Sequence, residues 1–480
     1  MGEAAPGQAQ DNRTSARSRA RAVRNLSTIG LLRPPDTSHG GIEEAAARAP
    51  TVAAFAAAAA ADGDGDNGAA ASTRPSLLLL PDLRWHTLPP AADPCYVLSA
   101  EAAAGPRGRK KRAQVANFAA VLQVFISAAA SSPPPRRRPL RVVDIGCGSG
   151  AVVLALAALF PPEQAVFVGV DMKIEAIDRL RQRAAEAGLA HVRGVVAMAE
   201  SFCWTCDDRG EGIADADNQQ SDHTFDVALA LHACGNATDC ALELAARCGA
   251  AYAVSPCCLG KLSFSVEGGS SFHPRLRTLT STRRGERAAA RRDANGGSAA
   301  LAKLEDAIAA QDVAEQQAAE ERRRRGCPHV ERVQVRHPRS AWLKELLERV
   351  SSSSSAVAVG GGIDEAFKAL ARAADGVNHG ECCSCCSNGD GDDHDEDAIG
   401  ALELRAARAA KAVVEMDRSA AMRETAGYAT ALLRLSPIGN EAAEDAAPGA
   451  RDDLLIGVPS DGHGGRWQGV RDAIAKVEAR

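Results

Sequence analysis

The sequence predicts a doubly wound α/β fold: a mostly parallel, seven-stranded sheet with a C-terminal antiparallel hairpin and disordered extensions. Three observations carry this expectation. Short apolar runs alternate with helical stretches between residues 140 and 258, the signature of βαβ units. The runs are almost continuously apolar, as strands covered on both faces must be. A glycine-rich turn follows the first of them, at the edge where such a sheet presents its ligand site.

The elements follow in order. "KKRAQVANFAAVLQVFISAAA" reads as a helix with Val115, Phe118, Leu122 and Phe125 on one face. "SSPPPRRRP" ends it. Strand "LRVVDIG", helix "AVVLALAALF", strand "AVFVGVD", helix "IEAIDRLRQRAAEAG" and strand "VRGVVAMAE" come next. After an irregular stretch come strand "FDVALALHACG", helix "ATDCALELAARCG" and strand "AAYAVSPCC". A helix from about 401 to 425 and two strands, "GYATALLRLSP" and "DDLLIGVP", close the pattern. The last two are near enough in sequence to pair as an antiparallel hairpin at the sheet edge.

Composition sets the domain limits. Aromatic residues make up only 4 % of the 480 residues, and much of the 45 % hydrophobic content is alanine, so parts of the chain cannot build a dense core. Residues 1–80 read as a disordered, low-complexity N-terminal region. Residues 81–262 form the first part of the domain, 263–400 a largely disordered basic, Ser- and Cys-rich insertion carrying a few helices, and 401–480 the helix and hairpin that complete the domain. The net charge of −5 implies no global attraction to nucleic acid or membrane. No apolar run in this reading reaches the roughly 18 residues of a membrane span. Among the 14 cysteines are adjacent pairs and residues inside core strands, which suits a reduced, cytoplasmic compartment better than a disulfide framework. "RTSARSRARAVRNLS", rich in Arg and Ser and free of acids, fits either an organellar transit peptide or a basic arm. Oligomeric state is not legible.

The turn "VVDIGCGSGAVV" carries the cofactor expectation. Gly146, Gly148 and Gly150 let the backbone turn sharply and approach a ligand closely. Asp171 ends the next strand, where an acid can take both ribose hydroxyls. Cys147 in the turn, Met172 after Asp171, and Glu200 beyond the third strand complete the candidate cofactor set. NAD satisfies the spacing of Gly146, Gly148 and Ala151, but Asp144 beside the helix end would repel a pyrophosphate. The same carboxylate suits S-adenosyl-L-methionine, which carries an ammonium and a sulfonium and no phosphate.

The fourth and fifth strands end in "LHACG" and "SPCCLG". In open α/β sheets ligands bind beyond these carboxyl ends. His232, Cys234, Asp239, Pro256, Cys257 and Cys258 are therefore expected around one acceptor cleft. His232 could act as a general base. Histidine and thiolates could hold zinc, although vicinal Cys257 and Cys258 can hardly both face one ion, and no metal is assigned. Cysteines can equally serve as small buried hydrophobes, and Asp239 as a helix cap.

In the same order, "KKRAQVANF", "VDIGCGSG", "FDVALALHACGNATD", "SPCCLG" and "GYATALLRLSP…LLIGVP" resemble a methyltransferase-domain family. The likeness is to the methyltransferase-like half of the glutathione S-transferase C-terminal-domain-containing protein, over about 81–262 and 400–460. A more distant similarity links the H-x-C-G-x-x-T-D element to a tRNA 2′-O-methyltransferase family. The resemblance implies a class I fold and S-adenosylmethionine binding, with Asp144, Gly146, Gly148, Gly150 and Asp171 at the cofactor. A non-catalytic protein retaining the fold and an NAD-dependent oxidoreductase are the competing readings. No glutathione-transferase-like segment is visible. Arg136–Arg138 and Arg322–Arg325 make RNA an optional partner, though no stacking aromatics are interleaved. The Cys203/Cys206 pair and the cysteines at 382–386 read as chance spacing and low-complexity sequence.

Overall fold

The computed structural model describes residues 49–60, 83–132, 138–204, 224–257, 259–264, 266, 333–352, 362–375, 397–435, 453–460 and 465–479, with isolated helical positions between 313 and 324. Its helices are α1 (Val52–Ala60), α2 (Ala100–Ala104), α3 (Pro106–Ser131), α4 (Val153–Leu159), α5 (Ile174–Glu186), α6 (Ala237–Cys248), α7 (Ala341–Ser352), α8 (Gly362–Ala374), α9 (Asp397–Ala426) and α10 (Gln468–Glu478). The strands are β1 (Leu140–Ile145), β2 (Ala165–Asp171), β3 (Val192–Val196), β4 (Val227–Leu231), β5 (Ala251–Ser255), β6 (Tyr428–Arg434) and β7 (Asp453–Pro459).

The seven strands form one sheet in the order β3-β2-β1-β4-β5-β7-β6. The pairs among β1 to β5 are parallel, and β7 runs antiparallel to both β5 and β6. The C-terminal hairpin is thus present, with β6 as the outermost strand and β7 one place inside it. Strand order reverses beside β1, between β2 and β4, which opens the crevice where doubly wound sheets hold ligands.

Burial follows the period of two that a pleated strand imposes. Val142, Phe167, Leu229 and Ala253 face a core with α1, α3, α4, α5 and α10, while Val143, Val168, Ala228 and Val254 face one that includes α6 and Met422 of α9. Both faces are covered, which is why these strands read as unbroken apolar runs. Helix α3 is long and apolar enough to cross a membrane by length and composition, a property the search for uninterrupted apolar runs passes over. Its most apolar stretch is 78 % buried within the fold, however. Val115, Phe118, Leu122 and Phe125 are all fully buried.

Three helices lie where low-complexity or largely disordered sequence is expected. Helix α1, inside 1–80, seals the β6 edge: Arg434 N donates to Pro50 O at 2.8 Å, and Val52 and Phe55 are fully buried. Covering the open ladder of an edge strand removes a pairing liability. Helices α7 and α8, inside 263–400, pack with α9 around a third core of Leu259, Leu262, Leu343, Leu347, Phe367 and Val414. The alanine tract hides α1, because a helix buried by its neighbours needs no amphipathic stripe of its own, whereas α7 and α8 do carry amphipathic stripes, in line with the few helices expected in the insertion.

Candidate functional site

The turn after β1 brings the cofactor candidates together. Gly146, Gly148 and Gly150 take φ of +77°, +55° and +86°, the left-handed region that a side chain disfavours. A Cβ at Gly150 would also meet Leu154 and Leu180 side-chain atoms at 2.9–3.1 Å. Gly146 N and Cys147 N both donate to Val170 O, at 2.8 and 3.0 Å, which pins the turn to the end of β2. Asp171 then accepts from Gly148 N at 3.0 Å and from Lys173 N at 2.9 Å. From outside the sheet, buried Arg183 of α5 donates to Ser149 O at 2.6 Å, to Ala91 O at 2.9 Å and to Asp93 O at 3.0 Å. Arg183 holds the turn, yet in sequence it looks like one more charge on a polar helix.

A cleft of about 270 Å³ opens against this turn. Gly146, Asp171, Met172, Glu200, His232 and Cys234 line it, together with Lys173 and Lys261. Glu200 is 3 % exposed, and its Oε1 lacks a hydrogen-bond partner. Beneath Gly146, Asp144 is 1 % exposed and its Oδ2 likewise has no partner. Burial, reinforced by the neighbouring Asp171 charge, pushes the Asp144 carboxyl up to about 7 despite a hydrogen bond from the Val153 backbone. Burial also raises the Cys147 thiol, with Asp144 and Asp171 adding to the effect. Buried acceptors are costly unless something donates to them. A cationic ligand group above Asp144 would relieve that cost, and a pyrophosphate would not.

On the opposite wall the chain leaves β4 through His232, whose φ of +63° makes it the one non-glycine residue in the left-handed region among the described residues. Its backbone N donates to Ser255 O at 3.1 Å, joining the ends of β4 and β5. Strain of this kind survives where surrounding structure enforces it and clusters at working sites. Cys234 Sγ lies 3.3 Å from His232 O and 3.3 Å from Cys257 Sγ. The two strand ends therefore meet as expected, with Cys257 and Pro256 buried behind Cys234. Cys258 lies outside the described residues, as do Cys206, Arg136, Arg137, the 382–386 cysteines and the N-terminal arm.

Asp239 does not reach the cleft. It is fully buried and takes Arg418 through both oxygens, at 2.6 and 3.0 Å, with Arg339 at 3.3 Å and His337 at 3.7 Å. Burial alone would raise its carboxyl, but Arg418, then His337 and Arg339, hold it far below the usual range. Burial drives His337 down to about 4. Arg339 also pairs with Glu243, and Asp417 accepts from Arg339 N at 2.9 Å and from Ser340 N at 2.8 Å. Asp239 thus ties α6 to α9 and to the segment before α7. Among the described residues no cluster of three or more His, Cys, Asp and Glu side chains is arranged to hold a metal.

Sheet order, glycine turn and strand-end carboxylates together make this a class I methyltransferase fold. Residues 110–264 match a family described as "Methyltransferase domain". The chain is 28 % identical over 184 residues to the glutathione S-transferase C-terminal domain-containing protein of Xenopus laevis, covering 38 % of this chain and 24 % of that protein. Its Bos taurus counterpart is 30 % identical over 120 residues, 25 % of this chain and 16 % of that one. The chain thus spans a quarter or less of the relatives' length. Similar solved structures include the Bacillus subtilis YcgJ protein (23 % identical, 28 % and 50 % of the two chains, TM-score 0.20). Another is the Synechocystis magnesium protoporphyrin IX methyltransferase, crystallised with S-adenosylhomocysteine (18 %, 31 % and 56 %, TM-score 0.21).

Proposed function

We propose that the cleft binds S-adenosylmethionine and that the protein transfers its methyl group to an acceptor entering beside His232 and Cys234. The observation that carries this reading is the buried Asp144 oxygen without a donor, set directly under the positive-φ turn. The residues fit the cofactor's groups. Asp144 would receive the ammonium, Asp171 the ribose hydroxyls and Glu200 the adenine amine, while Gly146 and Gly148 give the ligand room to lie on the backbone. When bound, the cofactor supplies an electrophilic methyl on a sulfonium. The chain's part is then mainly to position the acceptor in line with it. His232 would take a proton only from an acceptor that has one to lose. As acceptor we propose RNA, because Arg322–Arg325 form a dense cationic run in which Arg323 and Arg324 are exposed. Arg138 of the other run is committed to Asp226 at 2.8 Å.

Calorimetry on the full chain with S-adenosylhomocysteine and with NAD tests the cofactor reading. Binding of the first in the micromolar range and none of the second is expected, and the reverse would overturn it. Labelled cofactor incubated with cell extract, then digested with RNase or protease, identifies the acceptor: label lost only to protease would remove RNA. A protein that binds the cofactor and labels nothing would instead be a binding module retaining the fold.

A further inference from the structure

Lys261 belongs to none of the motifs discussed so far, yet it lines the cleft. It sits six residues past β5, in a single 3₁₀ turn over Gly260–Phe264. Leu259 and Leu262 flank it and are 1 % and 0 % exposed, plugged into the core shared with α7, α8 and α9. The side chain between these anchors is exposed and directed at the cleft. The insertion between β5 and β6 thus reaches the site through one cation on a rigid mount.

The chemistry of the cleft says what that cation meets. The first pole of the cleft, at β2 and β3, is acidic with Asp171 and Glu200, and its lysine, Lys173, is the residue whose backbone amide Asp171 holds. Asp144 adds a further carboxylate beneath the turn. A ligand carrying an ammonium and a carboxylate on one carbon would set the ammonium on Asp144, leaving Asp171 and Glu200 to the rest of the molecule. For the carboxylate it needs a cation close by, on the side where the β4 and β5 loops bring His232 and Cys234. Of the cleft-lining residues on that side, Lys261 is the lysine. We infer that Lys261 receives the carboxylate of the cofactor's amino-acid end, so that the inserted helical layer contributes directly to cofactor recognition. This rests on the S-adenosylmethionine reading above.

The test measures binding, not turnover. Full-length wild type and Lys261→Met are titrated calorimetrically with S-adenosylhomocysteine and with its decarboxylated analogue, which keeps the adenosine and the amine. Wild type should prefer the carboxylated compound by about tenfold, the order of one charge-assisted contact. Lys261→Met should lose that preference while binding the analogue as wild type does, and Lys261→Arg should retain most of it. Unchanged binding of the analogue shows that the variant is folded. An undiminished preference in Lys261→Met overturns the assignment, and so does an equal loss for both compounds. Wild type that binds neither compound would instead sink the cofactor reading itself.

Discussion

At the scale of single residues, Asp144 sets stability against ligand binding. An unfolded aspartate titrates near 4, whereas burial holds the folded carboxyl up at about 7. Between those values the folded chain binds the extra proton. Stability from this group therefore falls as pH rises through that window, and the whole penalty is present above about 7. Asp144→Asn removes the penalty. In urea titrations it should be more stable than wild type at pH 8, by at most about 4 kcal/mol at roughly 1.4 kcal/mol per unit. The gain should shrink toward pH 4, and S-adenosylhomocysteine affinity should drop at least about tenfold. A variant no more stable at pH 8 would mean that the carboxylate is already compensated in the ligand-free protein. Asp239 is the opposite case. Its depressed carboxyl contributes stability above the unfolded value near 4, and that contribution is lost as pH falls. Asp239→Asn or Arg418→Met alone strands a buried charge and should cost about 3–5 kcal/mol. The double variant should be less destabilised than the two losses summed, and strict additivity would show that the pair is not coupled.

At the scale of elements, legibility tracked how each segment is buried. The five parallel strands could be read because two covered faces force continuous apolar runs, and the glycine turn because only glycine suits its φ values. β3 stops at Val196, ahead of the run's end, because Ala199–Ser201 coil into a 3₁₀ turn that buries Glu200. Asp239 was legible as a motif member but not as a network residue. Ala237 lines the cleft, and two residues at about 100° each carry Asp239 to the far side of α6. Its partners Arg339 and Arg418 come from 100 and 179 residues away, a separation no local pattern encodes. Helix α1 was hidden by its own composition, since nine residues of which seven are alanine show no stripe. Phe55 nevertheless sits in the main core with Trp467 and Val470. Phe55→Ala should therefore cost about 3–5 kcal/mol of global stability, measured by urea denaturation. A loss below about 1 kcal/mol would show that α1 is a detachable flap over β6.

At the scale of the molecule, the two sheet cores and the third, helical core are distinct clusters of side chains. Among their joins are α9, with Met422 in the second core and Val413 and Val414 in the third, the Asp239–Arg418–Arg339 tie, the Lys411–Asp453 and Ser419–Thr430 bonds, and the 3₁₀ turn carrying Lys261. Such an arrangement allows the helical layer to open while the sheet stays folded, since stability is distributed in cooperative units. Phe367 is the lever. It is fully buried, stacks on His337 at 5.1 Å between ring centres, and shares its cluster with Leu259 and Leu262. Truncating it to alanine removes about 3–5 kcal/mol from that small core. Amide exchange in α7 and α8 should then accelerate by at least about 100-fold, because 1.4 kcal/mol is a factor of ten. Exchange in β1 and β4 should change little. Saturating S-adenosylhomocysteine, expected to bind about tenfold more tightly with Lys261 in place, should restore about 1.4 kcal/mol of protection. Equal acceleration in β1 and β4 would show that layer and sheet unfold as one unit. Acceleration confined to the layer but unresponsive to ligand would show that the layer folds separately and takes no part in holding the cofactor.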